Sequence, residues 1–298
     1  MGDAGYMTTQ TDSDAKPLDV RAELSEFLRT RRARLQPGDV GVQAIGRRRR
    51  VPGLRREELA QLAGVSVAYY TRLEQGNGRN VSTEVLEAIA TALRLDESER
   101  AHLFHLAKPQ PTRRRQPTRP QRVRPEVAEM LDVLEGTPAY VWGRRTDVLA
   151  WNRAAAALFG RWFERSSSER NWTRIVFLTP EARSFFVDWN TKASQVVGQL
   201  RLDAGMNGND PQLSSLVGEA SLKSDEFRRL WAAHDVKRQS HGQLRINHEA
   251  AGELLLHYET LMLPDDQDQA VTVYRTEPGA ARKSLRFLIN STASAGQE

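Results

Sequence analysis

The chain has 298 residues, enough for two domains of ordinary size, and 39% hydrophobic with 27% charged residues describes a soluble globular protein. No apolar run approaches the roughly 18–20 residues that a membrane span needs, and the absence of cysteine excludes disulfides and thiolate metal sites and fits a reducing cytoplasm. Charge is uneven: residues 1–124 carry 23 Lys and Arg against 15 Asp and Glu, and the remainder 20 against 23, so one half suits a polyanion and the other does not. Only six of the 43 basic residues are lysine, which codon usage in a GC-rich genome explains as well as function does, so composition leaves nucleic-acid binding open.

Residues 1–17 are polar, lack apolar periodicity, do not read as a secretory or transit segment, and are expected to be a disordered arm. From Leu18 to Pro37-Gly38, the spacing of Val20, Leu24, Phe27, Leu28 and Leu35 predicts a helix. A loop follows, with Gly41, Gly46, Arg47–Arg50 and Pro52-Gly53. Helices are then predicted over about 55–63, stopped by Gly64, and about 67–75, stopped by Gly76. Ser82 or Thr83 and then Asp96 can cap two more. Five short helices in about 90 residues make a compact all-α domain over 18–107.

Residues 108–124 hold four prolines, seven basic residues and no acidic one, and cannot bury enough apolar surface to offset their ordering entropy. They are expected to form an extended linker reaching roughly 50 Å at about 3.1 Å per residue. Beyond it lie all six tryptophans. A helix over about 125–135 precedes two strand-like runs, Ala139–Gly143 and Val148–Trp151, that read as a hairpin. Helices are predicted at about 152–160, 180–203, 211–222 and 224–234. Strands return at Gln243–Asn247, Glu253–Leu263 and Ala270–Thr276, before a short helix over about 280–289 and a flexible tail at 290–298. Strands at both ends with helices between make an α+β domain over 125–289.

The segment Arg56–Gln75 carries the functional reading. Ala60 is small where two helices approach, Gly64 permits a left-handed turn, and Leu59, Ala63, Val65, Tyr70 and Leu73 supply buried contacts. Ser66 can cap the next helix and leave its first amides facing a phosphate. Val67, Ala68, Tyr69, Thr71 and Arg72 stay outward. In a major groove Val67 and Ala68 can pack on a thymine methyl and Arg72 can pair with guanine, worth about 1–3 kcal/mol of discrimination. Arg56, Tyr69 and Arg79 suit phosphates, and Arg48, Arg49 and Arg50 suit phosphates or a minor groove, although a solvated loop is the ordinary meaning of such a run. A helical hairpin in an ordinary α-protein would show each of these features singly. Jointly, with Leu73-Glu74-Gln75-Gly76, they closely resemble the Xre/phage-repressor-like helix-turn-helix family, which implies a lambda-repressor-like fold. Two positions depart from it: Tyr70 stands where an aliphatic is usual, and Arg55 where a small polar cap is usual, so Glu57 and Glu58 must complement the helix dipole.

In the second half, Thr137-Pro138-Ala139-Tyr140-Val141, Asp147–Asn152, Asp188-Trp189, Leu216–Glu219, Leu230–Val236, Leu263–Asp266 and Tyr274 with Glu277-Pro278-Gly279 resemble the ligand-binding domain of MmyB-like regulators. Arg49–Glu58 and Tyr69–Gly76 are also typical of that family. The resemblance implies a PAS-like α+β fold holding a small, apolar molecule such as a fatty acid. Trp142, Trp151, Phe159, Phe185 and Trp189 are candidate cavity walls, with packed core the alternative for each. Ile246–Gly252 is altered relative to the family's turn. No catalytic constellation is found: His248-Glu249 lacks a second histidine at helical zinc-protease spacing, and neither a phosphate-binding glycine loop nor a nucleophile elbow occurs. No cofactor or metal is expected. The sequence thus describes a non-enzymatic cytoplasmic regulator, expected to be a homodimer on a palindromic site in double-stranded DNA, with no membrane contact. The alternative is a second domain that serves only dimerisation or partner-protein binding.

Overall fold

The first helix, α1 (Val20–Arg34), starts where the Asp19 carboxylate accepts from the Arg21 amide at 3.0 Å, and buries Leu24, Phe27 and Leu28 along one face. The computed structural model describes residues 18–41, 53–78, 80–108, 121–237, 240–266 and 268–294. The expectations for the N-terminal arm, for Arg48, Arg49, Arg50 and Arg79, and for linker residues 109–120 fall outside these. Helices α2 (Arg56–Leu62), α3 (Val67–Glu74), α4 (Thr83–Ala92) and α5 (Glu97–Ala107) follow, each within about a residue of its expected bounds. Ser82 and Asp96 cap α4 and α5 through side-chain oxygens that accept from Val85 and Glu99 amides. Their apolar faces meet in one core that includes Leu54, Leu59, Leu73, Leu86, Ile89 and Leu103.

The second half is α+β. Helix α6 (Pro125–Val133) leads into β1 (Ala139–Trp142) and β2 (Val148–Trp151). Then come α7 (Arg153–Phe163), α8 (Trp172–Leu178), α9 (Glu181–Phe185), α10 (Trp189–Met206), α11 (Pro211–Lys223) and α12 (Asp225–Ala232). Strands β3 (His241–His248), β4 (Gly252–Met262) and β5 (Ala270–Arg275) complete an antiparallel sheet of order β2-β1-β5-β4-β3, and α13 (Ala280–Ser294) closes the domain.

Because side chains alternate across a strand, the pairings Tyr140↔Thr272, Tyr258↔Tyr274, Thr260↔Thr272 and Leu244↔Leu256 put those residues on one face. That face meets an aromatic core containing Phe159, Trp162, Phe163, Trp172, Phe185 and Phe186. The opposite face, with Ala139, Val141 and Val271, is covered by Val127 and Leu131 of α6.

Three elements differ from expectation. The single helix expected over 180–203 is two, α9 and α10, because Phe186 bridges Ile246 and the Val187 amide donates to the Arg245 carbonyl at 3.1 Å, pulling the chain out of helix onto β3. Helix α8, capped by Asn171, lay unrecognised because seven residues are too few to show a helical period. The last helix runs to Ser294, into the stretch expected to be a tail.

The two halves are docked against each other. Leu202 of α10 and Val236, which follows α12, are buried in the core of the helical half. Around them Arg31 pairs with Glu99 at 2.8 Å and donates to the His234 carbonyl, while Arg34 pairs with Asp235. Arg201 of α10, fully buried, pairs with Glu23 of α1, contacts His234 Nδ1 at 2.9 Å and lies 3.9 Å from the Trp231 ring centroid. His102 of α5 sits on Gly205, so close that a Cβ there would come within 2.6 Å of Nδ1.

Candidate DNA interface and ligand cavity

Helices α2 and α3 meet at a turn that needs Gly64, whose φ of +65° is left-handed. Leu59, Ala60, Ala63, Tyr70 and Leu73 are buried there and Val65 is half-buried. The Ser66 hydroxyl accepts from the Tyr69 amide at 3.2 Å and so starts α3. The Glu58 carboxylate accepts from the Arg55 amide at 2.7 Å, supplying the end of α2 that Arg55 itself cannot cap.

Outward from that turn, Ser66, Val67, Ala68 and Arg72 are exposed, and Tyr69 and Thr71 are half-buried. Arg56 is placed differently. Its guanidinium is held by Glu74 at 2.9 Å, and the same carboxylate takes a two-pronged pair from Arg32 of α1 at 2.8 and 2.9 Å. Burial pushes Glu74 up, but Arg32, Tyr70 and Arg56 pull it further down, so it is held below the usual carboxylate range. Glu74 therefore staples α1, α2 and α3 and fixes the angle at which α3 is presented. The Tyr70 hydroxyl lies buried beside this pair, outside ordinary hydrogen-bond geometry, and its pKa is raised by burial and by Glu74.

The second half carries an open hollow between the sheet and α10. The sheet contributes the phenols of Tyr140, Tyr258 and Tyr274, together with Trp142, Thr260 and Thr272. The Trp142 indole N–H donates to the Thr272 hydroxyl at 3.0 Å, which lies 3.0 Å from that of Thr260. Burial pushes the Tyr140 phenol up to about 12 and raises that of Tyr274 well above its ordinary value, so both stay neutral. Helix α10 contributes Lys192, Gln195, Val196 and Gln199, and Trp172 of α8 closes one wall.

The rim is strained. Arg145 and Thr146 both have positive φ, 59° and 64°, in the loop joining β1 and β2, and Thr146 lines the hollow. For a β-branched residue this conformation costs about 1–3 kcal/mol and persists only where its surroundings hold it. Here the Arg145 guanidinium pairs with Asp210 at 2.6 Å and Asp147 at 2.7 Å, and its amide donates to Asp203 of α10. Burial pushes the Asp203 carboxyl up to about 6 despite those bonds.

Of the five aromatic residues expected as walls, Trp142 lines this hollow. Phe159 lies fully buried behind it, 5.5 Å from Trp172 and 5.6 Å from Tyr274 between ring centroids. Trp151 packs on Phe163 beneath the Arg170 guanidinium, and Trp189 donates to the Val176 carbonyl at 3.0 Å away from the hollow. Phe185 faces a second hollow with Arg161 and with His248 and Glu249 of the altered turn. The residues that sequence reasoning missed are Tyr258, Thr260, Thr272 and Tyr274, recognisable only once strand register put them on one face, and Lys192 and Trp172, on helices whose bounds were not foreseen.

Residues 123–288 match the MmyB-like transcription regulator ligand binding domain family, and residues 23–103 match a helix-turn-helix domain family. Both are transcription-regulator domains, and neither is a catalytic family. No curated protein sequence matches the chain. Among the described residues no helix is long and apolar enough to cross a membrane. The chain is a helix-turn-helix DNA-binding transcription regulator with a ligand-binding domain, and it belongs to the family defined by the MmyB-like transcription regulator ligand binding domain.

Proposed function

We propose that the protein, as a cytoplasmic homodimer, reads a palindromic operator in double-stranded DNA and changes its affinity when a small molecule with a largely apolar body, of which a fatty acid is an example, enters the second domain. In this reading α3 lies in the major groove with Val67 and Ala68 against thymine methyls and Arg72 on guanine. Ser66, Tyr69, Thr71 and Arg56 serve phosphates and register, Arg56 from its tether on Glu74, and Arg79 with Arg48, Arg49 and Arg50 supply further backbone contacts.

The observation that carries the sensing half is the course of one helix. On α10, Lys192, Gln195, Val196 and Gln199 line the hollow, and Arg201, Leu202 and Gly205 dock on α1 and α5. At about 1.5 Å per residue the two stretches are less than about 10 Å apart along a rigid rod. A shift of α10 on ligand entry thus reaches the DNA-reading half directly, without passing through the linker.

The test is native mass spectrometry of the full chain, followed by operator binding before and after removal of the co-purified molecule. A bound molecule whose removal changes operator affinity several-fold supports the reading. An affinity indifferent to every bound molecule would leave the second domain as a dimerisation or partner-binding module.

A further inference from the structure

The polar groups of the hollow are unbalanced. Its fourteen lining residues include two lysines, Lys192 and Lys237, and no aspartate or glutamate. Lys237 stands exposed at the rim. Lys192 is half-buried, with its ammonium 4.3 Å from the Trp172 ring centroid and 5.7 Å from that of Phe186. Among the described residues no carboxylate pairs with it, and desolvation is the sole cause acting on its pKa, which it pulls down to about 8. Cation–π contact is worth about 2 kcal/mol when desolvated and does not offset burial of a full charge.

A second donor stands beside it. Trp172 is buried, yet its indole N–H reaches no acceptor in ordinary hydrogen-bond geometry, although the Tyr140 hydroxyl is near enough to feel it. An ammonium on the wall of the hollow, with a buried N–H beside it whose one neighbouring acceptor is the Tyr140 hydroxyl, is the complement of an anionic oxygen. Four more rings, Tyr140, Trp142, Tyr258 and Tyr274, stand on the wall among threonine, glutamine and aliphatic side chains. Flat rings among such walls gain stacking that a flexible acyl chain does not, and lose less conformational freedom on entry.

Resting on the sensing function proposed above, we infer that the ligand is a small aromatic carboxylic acid, whose carboxylate pairs with Lys192 and accepts from the Trp172 N–H while its ring lies among Tyr140, Trp142, Tyr258 and Tyr274.

The test is calorimetric titration of the full chain with three probes: 2-naphthoate, its neutral amide 2-naphthamide, and dodecanoate. Wild type binds 2-naphthoate about 10- to 100-fold more tightly than the amide, the value of a charge-assisted hydrogen bond in a desolvated site. Lys192→Met binds the two aromatic probes alike, and its retained affinity for the amide shows that the hollow is intact. A second readout needs no variant. Near pH 8 the empty site is partly unprotonated, so 2-naphthoate binding takes up a proton, seen as heats that differ between buffers, and amide binding does not. Among the groups facing Lys192, the phenols of Tyr140, Tyr258 and Tyr274 are all shifted upward by burial and stay protonated there, while Lys237 is at the rim. Equal affinity of wild type for the two aromatic probes, or a preference that survives in Lys192→Met without proton uptake, overturns the inference. Binding of dodecanoate alone overturns the aromatic acid and keeps the sensor. Binding of none of the three also overturns the inference, while the sensing function stands or falls on its own mass-spectrometric test.

Discussion

Arg201 and Glu23, 178 residues apart in the chain, form a buried ion pair that ties the ligand-binding half to the first helix of the DNA-reading half. Burial pushes Glu23 up, but His234 and Arg201 bring it below its ordinary 4.5. Breaking such a pair strands a buried charge, so Arg201→Met is expected to destabilise the protein by about 3–5 kcal/mol. The double variant Arg201→Met with Glu23→Leu recovers most of that loss, because neither charge remains. Urea denaturation of both variants and of Glu23→Leu alone, beside wild type, checks this. The sign of the pH dependence follows from Glu23. Its folded pKa is depressed, so its contribution is present above 4.5 and is lost as pH falls through the lower folded value.

Gly205→Ala separates close approach from helix propensity. Alanine in a helix interior is worth about 1 kcal/mol over glycine, so an unconstrained site would gain stability. Here the added Cβ meets the buried His102 ring, and overpacking of this kind costs about 1–3 kcal/mol. Net destabilisation is expected in a thermal melt, with faster amide exchange in α5 and α10 than elsewhere. A variant as stable as wild type or more so would mean that the domains are not docked through this contact.

An unpaired, desolvated lysine is a cost to folding that a ligand can relieve. Lys192 is depressed from 10.5 to about 8, so its charged form disfavours the folded state by up to about 3 kcal/mol. The penalty is complete below pH 8 and vanishes as pH rises to 10.5, where the unfolded chain also loses the proton. Ligand-free Lys192→Met should therefore melt above wild type at pH 7, with the gap closing by pH 10.5. A gap independent of pH would contradict the burial of this charge.

The arginines before α2 are expected to act on every duplex alike. Neutralising Arg48, Arg49 and Arg50 should weaken binding to specific and random DNA together. The plot of log K against log salt should flatten by about 0.9 for each phosphate that the protein no longer neutralises. A salt titration with an unchanged slope would assign the run to a solvated loop.

The helix-turn-helix is legible in the sequence because its constraints are local: Gly64 for the left-handed turn, Ser66 for the cap, and buried residues at fixed spacing from Leu59 to Leu73. Glu74 illustrates what is not. Its importance comes from Arg32, 42 residues away, and nothing in its own neighbourhood marks it as buried. The hollow is harder still. Tyr258 and Tyr274 become neighbours only through the β4–β5 register, and Lys192 looks like any surface lysine until α10 is known to start at Trp189, after the chain has paired with β3. The docking of the halves has no local signal, since Arg201, Gly205 and His102 match partners drawn from distant helices.

Everything proposed for the first half rests on α3 reading base edges through its exposed residues. The most direct test is quantitative binding of the full chain to its own promoter region and to random duplex at physiological salt, with Arg72→Ala beside wild type. Wild type should favour the promoter by at least about a thousandfold, and Arg72→Ala should lose about 1–3 kcal/mol there for each half-site while binding random duplex nearly as before. Equal affinity of wild type for the two duplexes, or an Arg72→Ala variant that keeps full preference, would contradict the account.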